Sequence, residues 1–147
     1  MTSLTAKSIL SKKEQLFSDS GTECLFIQIT ENWGVKFYPS VSARDGAYNF
    51  QKKAAKQECG PDVGGKLEFD HEEYGKIFGY LTRVVEIFGN WKTNIPKSEL
   101  DRIKNEMYNI GYNINDYHGG NLGSYKGKLV NIDFGIRESE ALYHFDE

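Results

Sequence analysis

Two short segments in the last third of the chain carry residue types suited to phosphoryl transfer. The first runs from Asp116 to Asn121, and the second is Asp133-Phe134-Gly135, which follows an apolar stretch. A carboxylate can accept the proton of an attacking hydroxyl, and carboxylate and amide oxygens are ligands for Mg²⁺. Asp116, Asn121 and Asp133 therefore carry the kinds of group that a phosphoryl-transfer site needs.

His118 lies two residues after Asp116, where its imidazole can orient the loop or contact a phosphate. We include it with the catalytic candidates. Taken singly, each of these residues has an alternative interpretation as a turn residue, because Asp and Asn often bond to the local backbone in glycine-rich loops. The strand predicted from Leu129 to Ile132 favours the functional interpretation, since it leads directly to Asp133.

The composition indicates one domain without a membrane-spanning or signal segment. The 147 residues are 39% hydrophobic and 27% charged, with a net charge of -3 and mixed signs along the chain. We expect a cytoplasmic protein that binds neither membrane nor nucleic acid, because no long apolar run and no basic face is evident. Cys24 and Cys59 lack metal-ligand spacing, and we predict separate, reduced thiols rather than a disulfide or a zinc site.

The elements that must position these residues follow from hydrophobic patterning. Residues 1–14 are predicted to form an N-terminal arm, and residues 15–147 a single α+β domain with a five-stranded antiparallel sheet. The predicted strands are Leu16–Phe17, Cys24–Thr30, Trp33–Tyr38, Lys66–Phe69 and Ile77–Val85.

Two helices are predicted from the spacing of apolar residues. The first runs from Ala47 to Gln57, with Phe50 and Ala54 on its apolar stripe. The second opens with a capping-box pattern at Ser98 and ends at Gly111. Its apolar stripe consists of Leu100, Ile103, Met107 and Ile110.

In this order, residues 15 to 137 resemble the protein-kinase-like superfamily. The likeness is to an N-lobe with an αC-like helix, joined to a minimal truncated C-lobe of helix, catalytic loop and Asp-Phe-Gly strand. Lys36 resembles the lysine of the third kinase strand. The Asp116–Asn121 loop is similar to that of aminoglycoside phosphotransferases and atypical kinases, and the whole resembles small kinase-like proteins of tailed bacteriophages.

The resemblance implies Asp116 as the general base, Asn121 and Asp133 as metal ligands, and ATP and Mg²⁺ as cofactors. Lys36 and Gly21 would then contact the phosphates, and Tyr80, Leu81 and Thr82 would lie at the adenine. The chain departs from the family in its single-glycine phosphate loop and in the lack of an acid in residues 47–57, where Gln51 is a neutral stand-in.

Only twelve residues follow Gly135, so we expect no helical C-lobe to support an acceptor. The resemblance leaves two main functions open. One is a minimal kinase that phosphorylates Ser or Thr hydroxyls of host proteins, in the host cytoplasm if the protein is phage-encoded. The other is a catalytically inactive kinase fold that binds and modulates a host or partner protein. A small-molecule phosphotransferase and a homodimer through the truncated C-lobe face are further expectations.

Overall fold

The computed structural model of the protein describes residues 25–38, 40–71, 75–90, 92–113 and 117–135. Within these ranges the chain is α+β, with two helices and two antiparallel sheets. It forms two compact units, and their boundary falls inside the first helix. The first unit contains the described residues up to Ala47 with Gly64–Val84 and Gly135, and the second contains Tyr48–Val63 and Val85–Phe134.

The first unit is built on a four-stranded sheet in the order β1-β2-β4-β3. Its strands are β1 (Leu25–Gln28), β2 (Trp33–Tyr38), β3 (Val63–His71) and β4 (Gly75–Arg83). Strand β2 pairs antiparallel with both β1 and β4. Side chains alternate between the faces of a strand, and Val35, Phe37 and Ile77 together form the apolar core on one face.

Within the described residues this sheet has four strands, not the five that were predicted for it. Four of the predicted strands are confirmed, Trp33–Tyr38 with its predicted bounds and the other three with shifted ends, and the predicted strand Leu16–Phe17 lies outside the described residues. Just beyond β4, the Val84 N–H donates to the Asn32 carbonyl at 2.8 Å. The chain then leaves this sheet. After Val85, Glu86 and Ile87 pair with a strand of the second sheet instead.

The second sheet has the order β5-β6-β7 and belongs to the second unit. Its strands are β5 (Glu86–Ile87), β6 (Leu122–Tyr125) and β7 (Lys128–Asn131). Lys126 and Gly127 join β6 to β7 with φ values of 52° and 75°. Two consecutive positive φ values are typical of a tight hairpin turn, which sets the register that places Leu122 opposite Asn131.

Helix α1 (Val41–Lys56) begins before the predicted start at Ala47. The Ser40 hydroxyl accepts a hydrogen bond from the Ala43 N–H at 3.1 Å, so Ser40 caps the helix one residue before its start. The predicted stripe is confirmed, because Ala47, Phe50 and Ala54 are buried. Gln57 is exposed and lies beyond the last helical residue.

Helix α2 (Lys97–Asn109) buries Ile103 and Met107 as predicted. The predicted capping box is wrong, since no side chain caps the helix and Ser98 lies inside it. The Pro96 carbonyl starts the helix by accepting the Leu100 N–H at 2.9 Å.

The end of α2 at Gly111 is confirmed. Gly111 has φ +86°, its N–H donates to the Tyr108 carbonyl at 3.0 Å, and the Tyr112 N–H reaches the Met107 carbonyl at 2.9 Å. This pair of bonds is the Schellman ending, which favours glycine at the left-handed position. No helix within the described ranges is long and apolar enough to cross a bilayer.

We expect Ile103→Ala to lower the free energy of unfolding by about 2–5 kcal/mol, because it leaves a cavity under α2. Tyr108→Ala is the matched control on the same helix, since its ring is 73% exposed, and it should change the free energy by less than about 0.5 kcal/mol. Urea unfolding followed by circular dichroism measures both. Equal losses in the two variants would contradict the packing described for α2.

Candidate functional site

The residues predicted to form a nucleotide and metal site fall in both units. Those in the first unit are Lys36, Tyr80, Leu81 and Thr82, and those in the second are His118, Asn121 and Asp133. Asp116 and Gly21 lie outside the described residues.

Lys36 is a cation in a largely buried position of the first unit. It lies opposite Tyr80 in the pairing of β2 with β4, and only 9% of the residue is exposed. Its Nζ lies 5.9 Å from the centroid of the Tyr80 ring. Tyr38 stacks on Tyr80 with a centroid separation of 5.9 Å, and the two hydroxyls are 3.4 Å apart. The electron-rich ring face attracts the ammonium, which offsets part of the cost of removing the charge from water.

Leu81 and Thr82 have different surroundings, although they are neighbours in β4. Leu81 lies opposite Val35 and packs against the apolar core, so the structure does not bring its side chain to Lys36. Thr82 is two residues after Tyr80, so its side chain leaves the sheet on the same face as Lys36. The Thr82 side chain is buried, and its hydroxyl donates to the Arg83 carbonyl at 3.3 Å.

Helix α1 contains one acidic residue, Asp45, which the predicted range 47–57 did not include. Its carboxylate accepts from the Arg44 Nε at 2.7 Å and lies 2.9 Å from the Lys66 Nζ. Gln51, the predicted neutral stand-in for the kinase acid, is fully buried and donates from its amide to the Pro61 carbonyl at 3.0 Å. That bond ties the helix to the turn that follows it.

His118 caps a single 3₁₀ turn, Gly119–Asn121, in the second unit. Its Nδ1 accepts the Gly120 N–H at 3.1 Å, and its carbonyl accepts the Asn121 N–H at 2.9 Å. With Nδ1 acting as an acceptor, the neutral ring carries its proton on Nε2. The His118 ring thus caps the turn that contains Asn121.

Gly119 allows a close approach of two backbone segments beside this turn. Its carbonyl accepts the Gly89 N–H at 3.0 Å, and a Cβ at position 119 would lie 2.6 Å from the Asn90 carbonyl oxygen. Because backbone atoms cannot yield as a flexible side chain does, the position requires glycine. The close contact holds the turn that leads to Asn121.

Asn121 and Asp133 lie at the same end of the β6–β7 hairpin. The last pair of the hairpin is Leu122 with Asn131. Beyond it, the Asn121 carbonyl accepts the Ile132 N–H at 3.0 Å, and Asp133 is the next residue after Ile132. The structure therefore brings the two predicted metal ligands to adjacent segments. Their side chains offer amide and carboxylate oxygens, which are the donors that Mg²⁺ prefers, so this pair fits the implied metal. In the part of the chain that is described, no three His, Cys, Asp or Glu side chains form a metal-binding group.

Asn131 and Tyr112 also contact Asp133, and the sequence reasoning missed both. The Asn131 amide donates to the Asp133 carbonyl at 2.9 Å, and its oxygen accepts the Asp133 N–H at 3.3 Å. The Tyr112 hydroxyl donates to the same carbonyl at 3.1 Å. The sequence did contain a signal for Asn131, which is a polar residue within the apolar run before Asp133.

Phe134 is fully buried and forms an aromatic cluster with Tyr112 and Phe50. Its ring centroid lies 5.7 Å from that of Tyr112, which in turn lies 5.1 Å from the Phe50 ring in an edge-on arrangement. Such rings restrict one another's rotation, so Phe134 anchors the chain just after the acid.

Cys59 is a buried free thiol, which confirms the predicted reduced state for this residue, while Cys24 lies outside the described residues. Burial, followed by the nearby Glu106 carboxylate, raises the pKa of the Cys59 thiol. Cys59 lines an open cleft of about 590 Å³ together with Glu106 and the ammonium-bearing Lys53 and Lys56. The cleft thus carries charges of both signs, and a raised thiol pKa makes Cys59 a weak nucleophile.

A comparison of the chain with protein-family models, characterised proteins and solved structures finds no match. The candidate site therefore rests on its own residues and geometry.

Tyr117 provides a test of the loop beside His118. Burial raises the pKa of its phenol from 10.0 to about 12. Because the folded state favours the neutral phenol, the stabilisation is complete below pH 10.0 and is lost as the pH rises to about 12. We expect Tyr117→Phe to lose less stability than the wild type across this window, measured by urea unfolding at several pH values. Identical profiles would contradict the partial burial of Tyr117.

Proposed function

We propose that the protein binds ATP with Mg²⁺ and transfers the terminal phosphoryl group to a Ser or Thr hydroxyl of another protein. The observation that carries this proposal is the adjacency of Asn121 and Asp133 at one end of the β6–β7 hairpin. An amide and a carboxylate oxygen held on neighbouring backbone segments suit a hard divalent cation. When bound, Mg²⁺ neutralises negative charge on the nucleotide phosphates.

The other site residues have separate roles in this proposal. Lys36 attracts the phosphates, and its burial beside Tyr80 strengthens that attraction because little water screens the ammonium. The backbone near Thr82 lies at the adenine. His118 holds the 3₁₀ turn before Asn121, and Asp116 accepts the proton of the attacking hydroxyl.

Few groups are needed for such a reaction. Phosphoryl transfer passes through a loose transition state, so catalysis depends mainly on positioning the reactants and neutralising charge. A small chain that holds Asp133 and Asn121 firmly therefore meets a large part of the requirement.

The second candidate is a non-catalytic interaction protein that uses the same fold to bind a partner. Ile87 and Phe88 favour it, because these adjacent apolar residues are 50% and 39% exposed. Exposed apolar patches often mark protein interaction sites. The engagement of Asp45 by Arg44 and Lys66 also favours it, since the one carboxylate of α1 already has cationic partners.

Two aspartate variants separate binding from transfer. We expect Asp116→Ala to reduce phosphoryl transfer by about 10²- to 10⁴-fold while ATP binding is retained, because only the proton acceptor is lost. Asp133→Ala should remove the Mg²⁺-dependent part of ATP binding. Thermal-shift titration with ATP, with and without Mg²⁺, measures binding, and transfer of labelled γ-phosphate to protein substrates measures activity.

The outcomes of that experiment discriminate between the candidates. Equal turnover in the wild type and both variants would contradict the proposed roles of the two aspartates. A wild-type protein without any melting shift at millimolar ATP would identify the interaction protein as the better description.

A lysine pair tests the phosphate contact. We expect Lys36→Met to raise the ATP dissociation constant by roughly tenfold or more, because a bond to a charged group contributes about 1.5–3 kcal/mol. Met retains the apolar length of the side chain and should preserve the fold. Lys76→Met is the matched control, since Lys76 lies in β4 of the same sheet with a side chain that is 57% exposed. Equal effects of the two variants on calorimetric ATP binding would rule out a specific role for Lys36.

A further inference from the structure

Asn131 is a polar side chain at a buried position of strand β7. It follows Leu129 and Val130, and only 1% of the residue is exposed. Burying an amide costs free energy unless its donor and its acceptor both find partners. A buried amide whose hydrogen bonds are formed can in return specify one local conformation, which an aliphatic side chain cannot do.

Both functional groups of the Asn131 amide bind one other residue, Asp133. The Nδ2 donates to the Asp133 carbonyl at 2.9 Å, and the Oδ1 accepts the Asp133 N–H at 3.3 Å. Holding the N–H and the carbonyl of the same residue restrains both its φ and its ψ. The direction of the Asp133 Cα–Cβ bond is thereby set, and the carboxylate keeps only its two side-chain torsions.

The Asn131 amide is itself held in place by α2. Its Nδ2 lies 3.5 Å from the Met107 Sδ, and Met107 is buried. Asn131 also lies opposite Leu122 in the hairpin register, one step from the bond between Ile132 and Asn121. The residue that orients Asp133 thus belongs to the same ladder that aligns Asn121.

Tyr112 restrains the same carbonyl from a different element. Its hydroxyl donates to the Asp133 oxygen at 3.1 Å, and its ring packs between those of Phe50 and Phe134. The backbone of Tyr112 is fixed by the Schellman ending of α2. Two independent side chains therefore converge on the Asp133 carbonyl.

We propose that Asn131, assisted by Tyr112, is a positioning residue that holds Asp133 ready to bind a divalent cation beside Asn121. This inference rests on the proposed function, because it assigns Asp133 as a metal ligand. Groups that orient a metal ligand typically contribute about 10- to 100-fold to metal affinity. The Asp133 carboxylate is then oriented when the protein folds, so metal binding loses less conformational entropy.

The test measures Mn²⁺ affinity by electron paramagnetic resonance, using the full chain with saturating ATP. Asn131→Leu removes both bonds to Asp133 while filling a similar volume, and Tyr112→Phe removes the hydroxyl but keeps the ring. Val130→Ala is the matched control, because it perturbs the buried neighbouring position in β7, which pairs with Gly123, and leaves the Asn131 amide intact.

We expect Asn131→Leu to raise the Mn²⁺ dissociation constant by about 10- to 100-fold. Tyr112→Phe should shift it in the same direction by less, since Asn131 still binds the carbonyl. Val130→Ala should lower the melting temperature without changing the Mn²⁺ dissociation constant. In the Asn131→Leu protein, excess Mn²⁺ should restore ATP binding, which a purely structural defect would not allow.

A wild-type Mn²⁺ affinity in Asn131→Leu overturns the inference, as does an equal loss in Val130→Ala. If Asn131→Leu does not fold, Tyr112→Phe becomes the test. An unchanged Mn²⁺ dissociation constant in Tyr112→Phe then overturns the inference. The Asp133→Ala variant distinguishes a failure of the positioning role from a failure of the proposed function. If that variant loses Mn²⁺ while Asn131→Leu and Tyr112→Phe do not, the proposed function survives and the positioning role fails. If wild type and Asp133→Ala bind Mn²⁺ equally, both fail.

Discussion

The packing of α2 against β7 is the contact on which the candidate metal ligands depend. Strand β7 lies at an edge of its sheet within the described residues, so some of its backbone groups need partners from elsewhere. The Arg102 guanidinium donates to the Leu129 carbonyl at 2.7 Å, and the Lys128 ammonium binds the Glu106 carboxylate. These polar contacts flank the buried Met107, so helix and strand are held by apolar and charged groups together. Strand β7 leads to Asp133, so the position of the strand determines the position of the Asp133 backbone.

A different constraint governs the first unit, where one sheet has two unlike faces. The face with Val35 and Phe37 is apolar, whereas the other carries Lys36 and the stacked Tyr38 and Tyr80. A buried ammonium costs free energy, and the Tyr80 ring offsets only part of it. This burial distinguishes Lys36 from the exposed lysines of the same sheet. Leu81 belongs to the opposite face, and its predicted contribution to the nucleotide site is limited to its backbone.

The sequence predicted local features well where a short-range rule decides the outcome. Gly111 ends α2 because the left-handed position there favours glycine, and the apolar run before Asp133 forms strand β7. Rules failed where two local signals competed. The capping pattern at Ser98 was overridden by a helix that starts from the Pro96 carbonyl, and α1 starts early because Ser40 caps it. The pairing of Glu86 and Ile87 with the second sheet was missed because their partners lie far away along the chain, and no periodicity identifies them.

The amino-acid sequence by itself determined the chemistry that the site can offer, since the oxygen donors of Asn121 and Asp133 and the ammonium of Lys36 are properties of residue type. It also determined the turn and the strand that precede Asp133, because those depend on neighbours in sequence. Only the tertiary structure decided what holds Asp133. Tyr112 reaches its carbonyl across 21 positions of the chain, and Asn131 bonds to Asp133 from a position that the fold buries beside Met107. Such partnerships depend on which elements pack together, and that is settled by the free energy of the whole fold.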